Sequence, residues 1–319
     1  MAQQDLGVTG SAARESAAPR VARGTWWERH QRGIIPYVFI SPFYILQLLF
    51  FVGPMVFALY LSLTTWTGGD VRDIHWVGLA NFQQLFSDPL FYDAAGNTLW
   101  YMLSGLIIGI PLALAIAVVL NSGLLRGKTL FRTIYFIPVI TPTVAVAIMF
   151  ELLFDNQFGL INAVLQKIGA PSVYWLGDPV TARISVIIVL LWQGLGMTIV
   201  FFLAGLQSVP QDLIEAARVD GASVVQAFYR VTIPMLKPVF VFVIILALAG
   251  GAQIFDQPFI LTQGGPNNGT ISMVMLMYQE ANQNIRFGYA SSIAVILFIV
   301  VAAMTIFQMR VLGAFSDES

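Results

Sequence analysis

The sequence predicts an all-α membrane protein with six transmembrane helices and both termini in the cytoplasm. Composition, the lengths of the charge-free runs and the placement of Lys and Arg carry that prediction. Of 319 residues, 57% are hydrophobic and 10% charged, and the mean hydropathy is +0.78. A soluble domain carries about 25% charged residues, so this chain has too few charges to cover a water-facing surface, and its main solvent is lipid. That excludes an ordinary cytosolic enzyme. A net charge of -1 offers no electrostatic footprint for nucleic acid. The absence of cysteine excludes a disulfide framework and a thiolate metal site. Two histidines, His30 and His75, cannot build a His-rich metal site.

Residues 1–33 are polar, rich in Ala, Ser and Arg, and end close after Trp26-Trp27. They read as a disordered cytoplasmic tail with an interfacial Trp pair. The charge-free run 33–69 that follows is far longer than the roughly 7–15 apolar residues of a signal peptide, so it is a retained first span. Runs 94–125, 133–150, 184–211, 238–255 and 287–309 supply five more, each near the ~20 residues a spanning helix needs. A seventh run, 257–279, contains Gly264-Gly265-Pro266-Asn267-Asn268-Gly269, a turn signal whose backbone groups lipid could not satisfy. It reads as an extracytoplasmic loop followed by a Met-rich segment, Ser272 to Gln279. Residues 34–312 thus form one membrane domain, and 313–319 a cytoplasmic tail. Gly159 to Gly169 has helical spacing and is expected to lie along the membrane surface. Prolines at 36, 42, 54, 111, 138, 142 and 258 predict kinked or broken helices. With the N-terminus inside, only Arg72, Lys167, Arg183 and Arg286 of the sixteen basic residues fall outside, which fixes the orientation by the positive-inside bias.

The longest cytoplasmic loop, 208–238, has readable local physics. Ser208 with Gln211 suggests a capping box, and Pro210 suits a first helical turn. A short helix should run to about Val219 and stop at Asp220-Gly221, where Gly221 is free to turn left-handed. A second should begin near Ala222 and end before Pro234. Leu213, Ile214, Ala217, Val225 and Phe228 offer a small apolar face. Physics alone favours an amphipathic loop packed on its own membrane domain.

Glu215-Ala216-Ala217, Asp220-Gly221-Ala222, Ile233-Pro234 and Pro238 resemble the EAA loop of bacterial ABC-importer permeases; Ile233 stands where that family usually has Leu. The resemblance covers about 34–312 and includes Val77 to Phe82, Gly96-Asn97-Thr98, Phe136-Ile137-Pro138, Leu203 to Leu206 and Leu261 to Pro266. The last group points to the carbohydrate branch, of maltose, lactose and glycerol-3-phosphate type. The resemblance implies a type I importer permease fold in the cell (inner) membrane. It implies a second homologous permease subunit, an ATPase subunit dimer carrying ATP and Mg, an extracytoplasmic solute-binding protein and a sugar substrate. It places Glu215, Ala216, Ala217, Asp220, Gly221 and Ala222 on a coupling helix that docks on the ATPase. No catalytic residue, cofactor or metal is expected on this chain. Gly123 to Thr129 ends like a phosphate loop, but three residues rather than four separate its glycines.

A sugar site wants amides or carboxylates beside aromatic rings, and polar residues within spans are costly and often functional. Trp192, Gln193, Gln253, Phe255, Asp256 and Gln257 are therefore the candidate substrate path. Individually, Gln193 and Gln253 fit interhelical hydrogen bonding as well, and Asp256 fits a solvated boundary. A phosphorylated solute would favour cations in the spans, and their interiors have none, which tilts the reading from glycerol-3-phosphate toward a neutral sugar. An ion-coupled secondary transporter would want embedded acidic or histidine relays, and an intramembrane enzyme a convergent His, Asp or Ser set; neither pattern is present.

Overall fold

The computed structural model describes residues 26–122 and 128–311. Residues 1–25 of the expected N-terminal tail, the tail at 313–319, and residues 123–127 of the near-phosphate loop lie outside the described residues. The described chain falls into two compact units, one ending at Met55 and one beginning at Val56.

Helix α1 (Trp26–Gln47) starts inside the stretch assigned to the tail. The last charge marks where lipid can begin, whereas a helix propagates past that boundary while backbone bonds continue. A wide turn (Leu48–Val52) and α2 (Gly53–Leu61) follow, and Ile35–Leu61 is the first span, 27 residues long. Beyond it, Thr64–Thr65 (β1) and His75–Trp76 (β2) pair antiparallel, a hairpin too short to read from the sequence. Helix α3 (Ala80–Ser87) leads into the second span, α4 (Pro89–Ser104), a wide turn (Gly105–Gly109) and α5 (Ile110–Asn121).

The third span is broken. Helices α6 (Lys128–Ile140) and α7 (Thr143–Leu153) meet at a 109° bend. Pro142 sits at the break with extended backbone, ψ 132°, and has no N–H to continue a helix. Helix α8 (Leu160–Lys167) occupies the stretch expected to be helical. The fourth span, α9 (Pro179–Ser208), is capped by Asp178, which accepts from Val180 and Thr181 backbone N–H. Helices α10 (Gln211–Val219), α11 (Val224–Ala227) and α12 (Ile233–Met235) make the long loop. The fifth span combines α13 (Lys237–Ala252) with α14 (Asp256–Thr262), seven residues beyond the charge-free run at 238–255. Helix α15 (Met273–Asn282) precedes the sixth span, α16 (Phe287–Val311).

Three wide turns share one cause. Leu48–Val52, Gly105–Gly109 and Phe228–Thr232 each end one residue before an X-Pro pair: Gly53-Pro54, Ile110-Pro111 and Ile233-Pro234. In each, the residue before the proline donates its N–H to the carbonyl five residues back, namely Leu48, Gly105 and Phe228. A proline in a regular helix clashes with the carbonyl four back and lacks the N–H to bond it. Inserting one residue into the turn relieves both problems while the helix continues.

Three clusters hold the second unit together. Ala113, Ala117 and Leu120 of α5 pack on Ile199, Phe202 and Leu206 of α9 and on Leu236. Leu85, Phe91 and Ala94 pack on Met275 and Leu276 of α15 and Ile293 of α16. Tyr101, Phe150, Phe154, Val186, Val189 and Leu261 form the third. Helices in lipid gain little hydrophobic free energy from pairing, so close packing at small residues must supply the contact. Gly205 lies under Leu236 and Val239, Gly196 under the Tyr135 carbonyl, and Gly251 against the Met102 backbone.

The Gly-Gly-Pro loop is drawn inward rather than left open. Asn97 Nδ2 donates to the Asn268 and Ile271 carbonyls at 2.9 and 3.0 Å. Tyr101 Oη donates to the Thr270 carbonyl at 2.9 Å, and Thr98 Oγ1 accepts from Met273 N–H at 3.0 Å. Asn97, Thr98 and Tyr101 are buried, so these bonds replace water that cannot reach the loop. Replacing Asn97 with Leu is expected to leave two carbonyls unpaired at a cost of about 1–3 kcal/mol each. Intrinsic-fluorescence melting in detergent should show a clear loss of thermal stability, with Asn282→Leu on the exposed α15 end near neutral.

Candidate functional site

The 208–238 loop forms a helix, a turn and a second helix. Ser208 is the last residue of α9, and its Oγ donates to the Gly205 carbonyl, so the capping box expected with Gln211 does not form. The N-cap of α10 is Pro210, which has no side-chain donor or acceptor to cap with. The reciprocal capping box belongs instead to α11: Ser223 Oγ accepts from Gln226 N–H, and Gln226 Oε1 accepts from Ser223 N–H. The signal at 208–211 fails because α9 is still helical there and holds the hydroxyl.

Helix α10 ends as the sequence predicts. Gly221 has φ +89°, its N–H bonds the Arg218 carbonyl, and Ala222 N–H bonds the Ala217 carbonyl. Those two bonds define a Schellman termination, which needs the left-handed residue that only glycine supplies without strain. The second helix does not stop before Pro234. The wide turn at Phe228–Thr232 carries it through the proline to Met235.

The sequence-assigned coupling residues lie on one exposed structure. Glu215, Ala216, Asp220 and Gly221 are exposed, and Ala217 and Ala222 are half-buried. No residue of α10 is buried. Glu215 makes no hydrogen bond or ion pair among the described residues. The expected apolar face is only partly used: Ile214 and Phe228 are half-buried, whereas Leu213 and Val225 are exposed. Val219 is 88% exposed and Val224 69%. Small and apolar side chains thus face outward on a rigid turn.

The candidate path residues divide. Gln257 Nε2 donates to Gln193 Oε1 at 3.1 Å, and Gln193 Nε2 donates to Thr143 Oγ1 at 3.0 Å. This chain ties α14, α9 and the broken third span, as interhelical hydrogen bonding would. Trp192 packs edge-on to Phe150. Phe255 stacks on Phe259 and packs against Tyr278, beside a different cavity of about 330 Å³. Gln253 is exposed at the C-cap of α13, and Asp256 is half-buried in the first turn of α14. No hydrogen bond links Gln253 or Asp256 to the Gln193 chain among the described residues.

None of the six lines a half-open cavity of about 220 Å³ lined by α4, α5, α9 and α13 and the wide turn at 105–109. Its wall includes Gly105, Gly109, Gly194, Gly250 and Gly251, with Tyr101 and Thr198 as polar groups and no charged side chain. A side chain added at Gly194 or Gly250 would meet nothing within 4 Å, so these glycines leave room, while Gly251 permits contact with α4. The sequence carried this signal as Gly194 and Gly250-Gly251 within spans. A search weighted toward polar side chains passes over it.

Residues 105–314 match the family described as binding-protein-dependent transport system inner membrane component. The chain belongs to this family. The permease is similar to the arabinooligosaccharides transport system permease protein AraP of Bacillus subtilis, with 33% identity over 304 residues, 94% of this chain and 96% of that protein. It is similar to the multiple sugar-binding transport system permease protein MsmF of Streptococcus mutans, with 39% identity over 266 residues, 83% of this chain and 91% of that protein. Among solved structures, a chain of the bacterial alginate ABC transporter in complex with alginate pentasaccharide-bound periplasmic protein superposes with a TM-score of 0.79 at 22% identity, covering 92% of this chain and 98% of that one. The expected importer-permease fold and inner-membrane location are those of the family.

Two adjacent glycines should separate packing from cavity volume. Gly251→Leu drives a side chain into Met102, whose Cα would lie 2.6 Å from the new Cβ, and should lower thermal stability by several degrees. Gly250→Leu enters open space and should melt within a degree or two of the parent in the same fluorescence assay.

Proposed function

We propose that this permease is one transmembrane subunit of an ATP-driven importer that moves a sugar or oligosaccharide into the cytoplasm by alternating access. Its partners are a second homologous permease, an ATPase dimer that carries ATP and Mg, and an extracytoplasmic solute-binding protein. The observation that carries this reading is the exposed α10–Gly221–α11 unit. Its backbone is fixed by a Schellman termination and a capping box, while Ala216, Leu213, Val219, Val224 and Val225 stand exposed on it. Such a surface suits docking to another protein: Ala216, Ala217 and Ala222 allow close backbone approach, and Glu215 is free to pair with a basic group.

Rigid docking lets closure of an ATPase dimer move the membrane helices between inward-open and outward-open states, a population shift that needs differential contacts in the two states. The saccharide assignment draws on the similarity to AraP, an arabinooligosaccharide permease, and MsmF, a multiple-sugar permease, and on the pentasaccharide-bound protein of the alginate transporter. The uncharged wall of the 220 Å³ cavity supports a neutral solute over glycerol-3-phosphate, whose dianion would call for a cation there. The 12-to-4 basic bias supports cytoplasmic termini, which puts the coupling unit on the ATP side.

The reconstituted complex with its binding protein should accumulate a saccharide only with ATP inside the vesicles. Uptake driven by an ion gradient without ATP would overturn the reading. Gly250→Leu should assemble normally and lose most uptake. Gly221→Asn, which tolerates the left-handed turn, should retain ATPase association. Gly221→Val carries about 1–2 kcal/mol of backbone strain and should weaken co-purification of the ATPase roughly tenfold.

A further inference from the structure

We infer that the seam between α4 and α9 binds one zwitterionic aminophospholipid, with its phosphate on Arg183, its ammonium on Asp93 and an acyl chain in the groove below. Two adjoining cavities meet at Arg183 and Trp100. One is a polar cup of about 220 Å³ beside the Gly-Gly-Pro loop, lined by Asp93, Asn97, Asn267 and Asn268 as well. The other is a groove of about 600 Å³ whose remaining wall is almost wholly apolar, with Ile107, Ile184, Ile187 and Leu191 along it. A polar cup that opens onto an apolar groove at a shared cation has the shape of an amphiphile.

Charge supports this occupant. Arg183 lies in the first turns of a membrane span, and its Nε donates to the Gly269 carbonyl at 3.1 Å. Among the described residues it forms no ion pair, although Asp93 lines the same cup. A cation at the edge of the hydrocarbon region calls for a counter-charge, and a lipid phosphate is the anion available at that depth. The Asp93 carboxylate beside it, unpaired among the described residues, complements a headgroup ammonium, which selects an aminophospholipid over an acidic one. Trp100, 56% exposed, stands at the rim, the position of interfacial aromatics.

Length fits as well. From Arg183 to Leu191 the helix rises about 12 Å, close to one leaflet of a hydrocarbon core about 30 Å thick. The inference rests on the membrane location alone and not on the solute imported. A neighbouring permease helix seated in the groove is the rival occupant.

The test uses the full-length chain with its co-purifying subunits, equilibrated in nanodiscs of equal phosphatidylethanolamine and phosphatidylglycerol, then stripped and weighed by native mass spectrometry. The parent should retain one phosphatidylethanolamine per chain, at least tenfold over phosphatidylglycerol. Arg183→Gln should cut retention at least tenfold, as should groove-filling Ile187→Trp. Asp93→Asn should keep retention but erase the headgroup preference. Because the chain has no cysteine, Ile187→Cys supplies a unique attachment point for a photoreactive label, which should cross-link to lipid. No retained phospholipid, retention unchanged by both Arg183→Gln and Ile187→Trp, an unchanged preference in Asp93→Asn, or cross-linking chiefly to another polypeptide would each overturn the inference.

Discussion

Backbone polar groups cannot be left without partners where water is absent, and the architecture of this chain follows from that constraint. The Gly-Gly-Pro loop shows how it is met. Asn97, Thr98 and Tyr101 sit on consecutive turns of one face of α4 and supply the donors and acceptor that segment 268–273 would otherwise take from water. Ser272 adds a bond to the Ile254 carbonyl at 2.6 Å, fixing the loop to the break between α13 and α14 as well. The same need governs the helices. Each of three prolines is preceded by a widened turn in which the residue before the proline bonds the carbonyl five back instead of four, so the helix continues through the proline.

Once the backbone is satisfied, side-chain size decides how the helices meet. Glycines at 196, 205 and 251 bring helices into contact, whereas those at 194 and 250 face empty space. The same residue type therefore builds both the packed seams and the cavity between them. Which role a glycine takes depends on what lies opposite, information that a single chain of letters does not contain. A cavity walled by glycines and apolar side chains also presents few fixed partners to a solute.

The spans were legible in the sequence because charge is so scarce that its positions bracket the apolar core of each one, although Asp93, Arg183 and Asp256 fall within span ends; the broken third span was foreshadowed by Pro138 and Pro142. Termination of α10 at Gly221 was equally legible, since a left-handed residue after a helical pattern has few other uses. Other features depended on tertiary context. Ser208 has the right spacing for a capping box, but α9 continues through it and takes its hydroxyl. The candidate path read from Gln193 and Gln257 resolves into a hydrogen-bonded strut reaching Thr143, while Phe255 joins an aromatic cluster elsewhere. Polarity within a span signals that a group needs a partner, and here the partner is another helix.

The proposed machine joins these parts: a membrane domain made rigid by internal hydrogen bonding, a glycine-walled cavity within it, and an exposed turn facing the ATP side. Its central claim is that this turn is the mechanical link to an ATPase. The most direct measurement places a photoreactive label at Ala217 through Ala217→Cys in this cysteine-free chain and irradiates native membranes containing the whole complex. The account predicts one dominant cross-linked product containing the ATPase subunit, with ATP-dependent uptake lost as that product forms. A label that reacts only with lipid, or only within its own chain, while uptake continues to depend on ATP would contradict it.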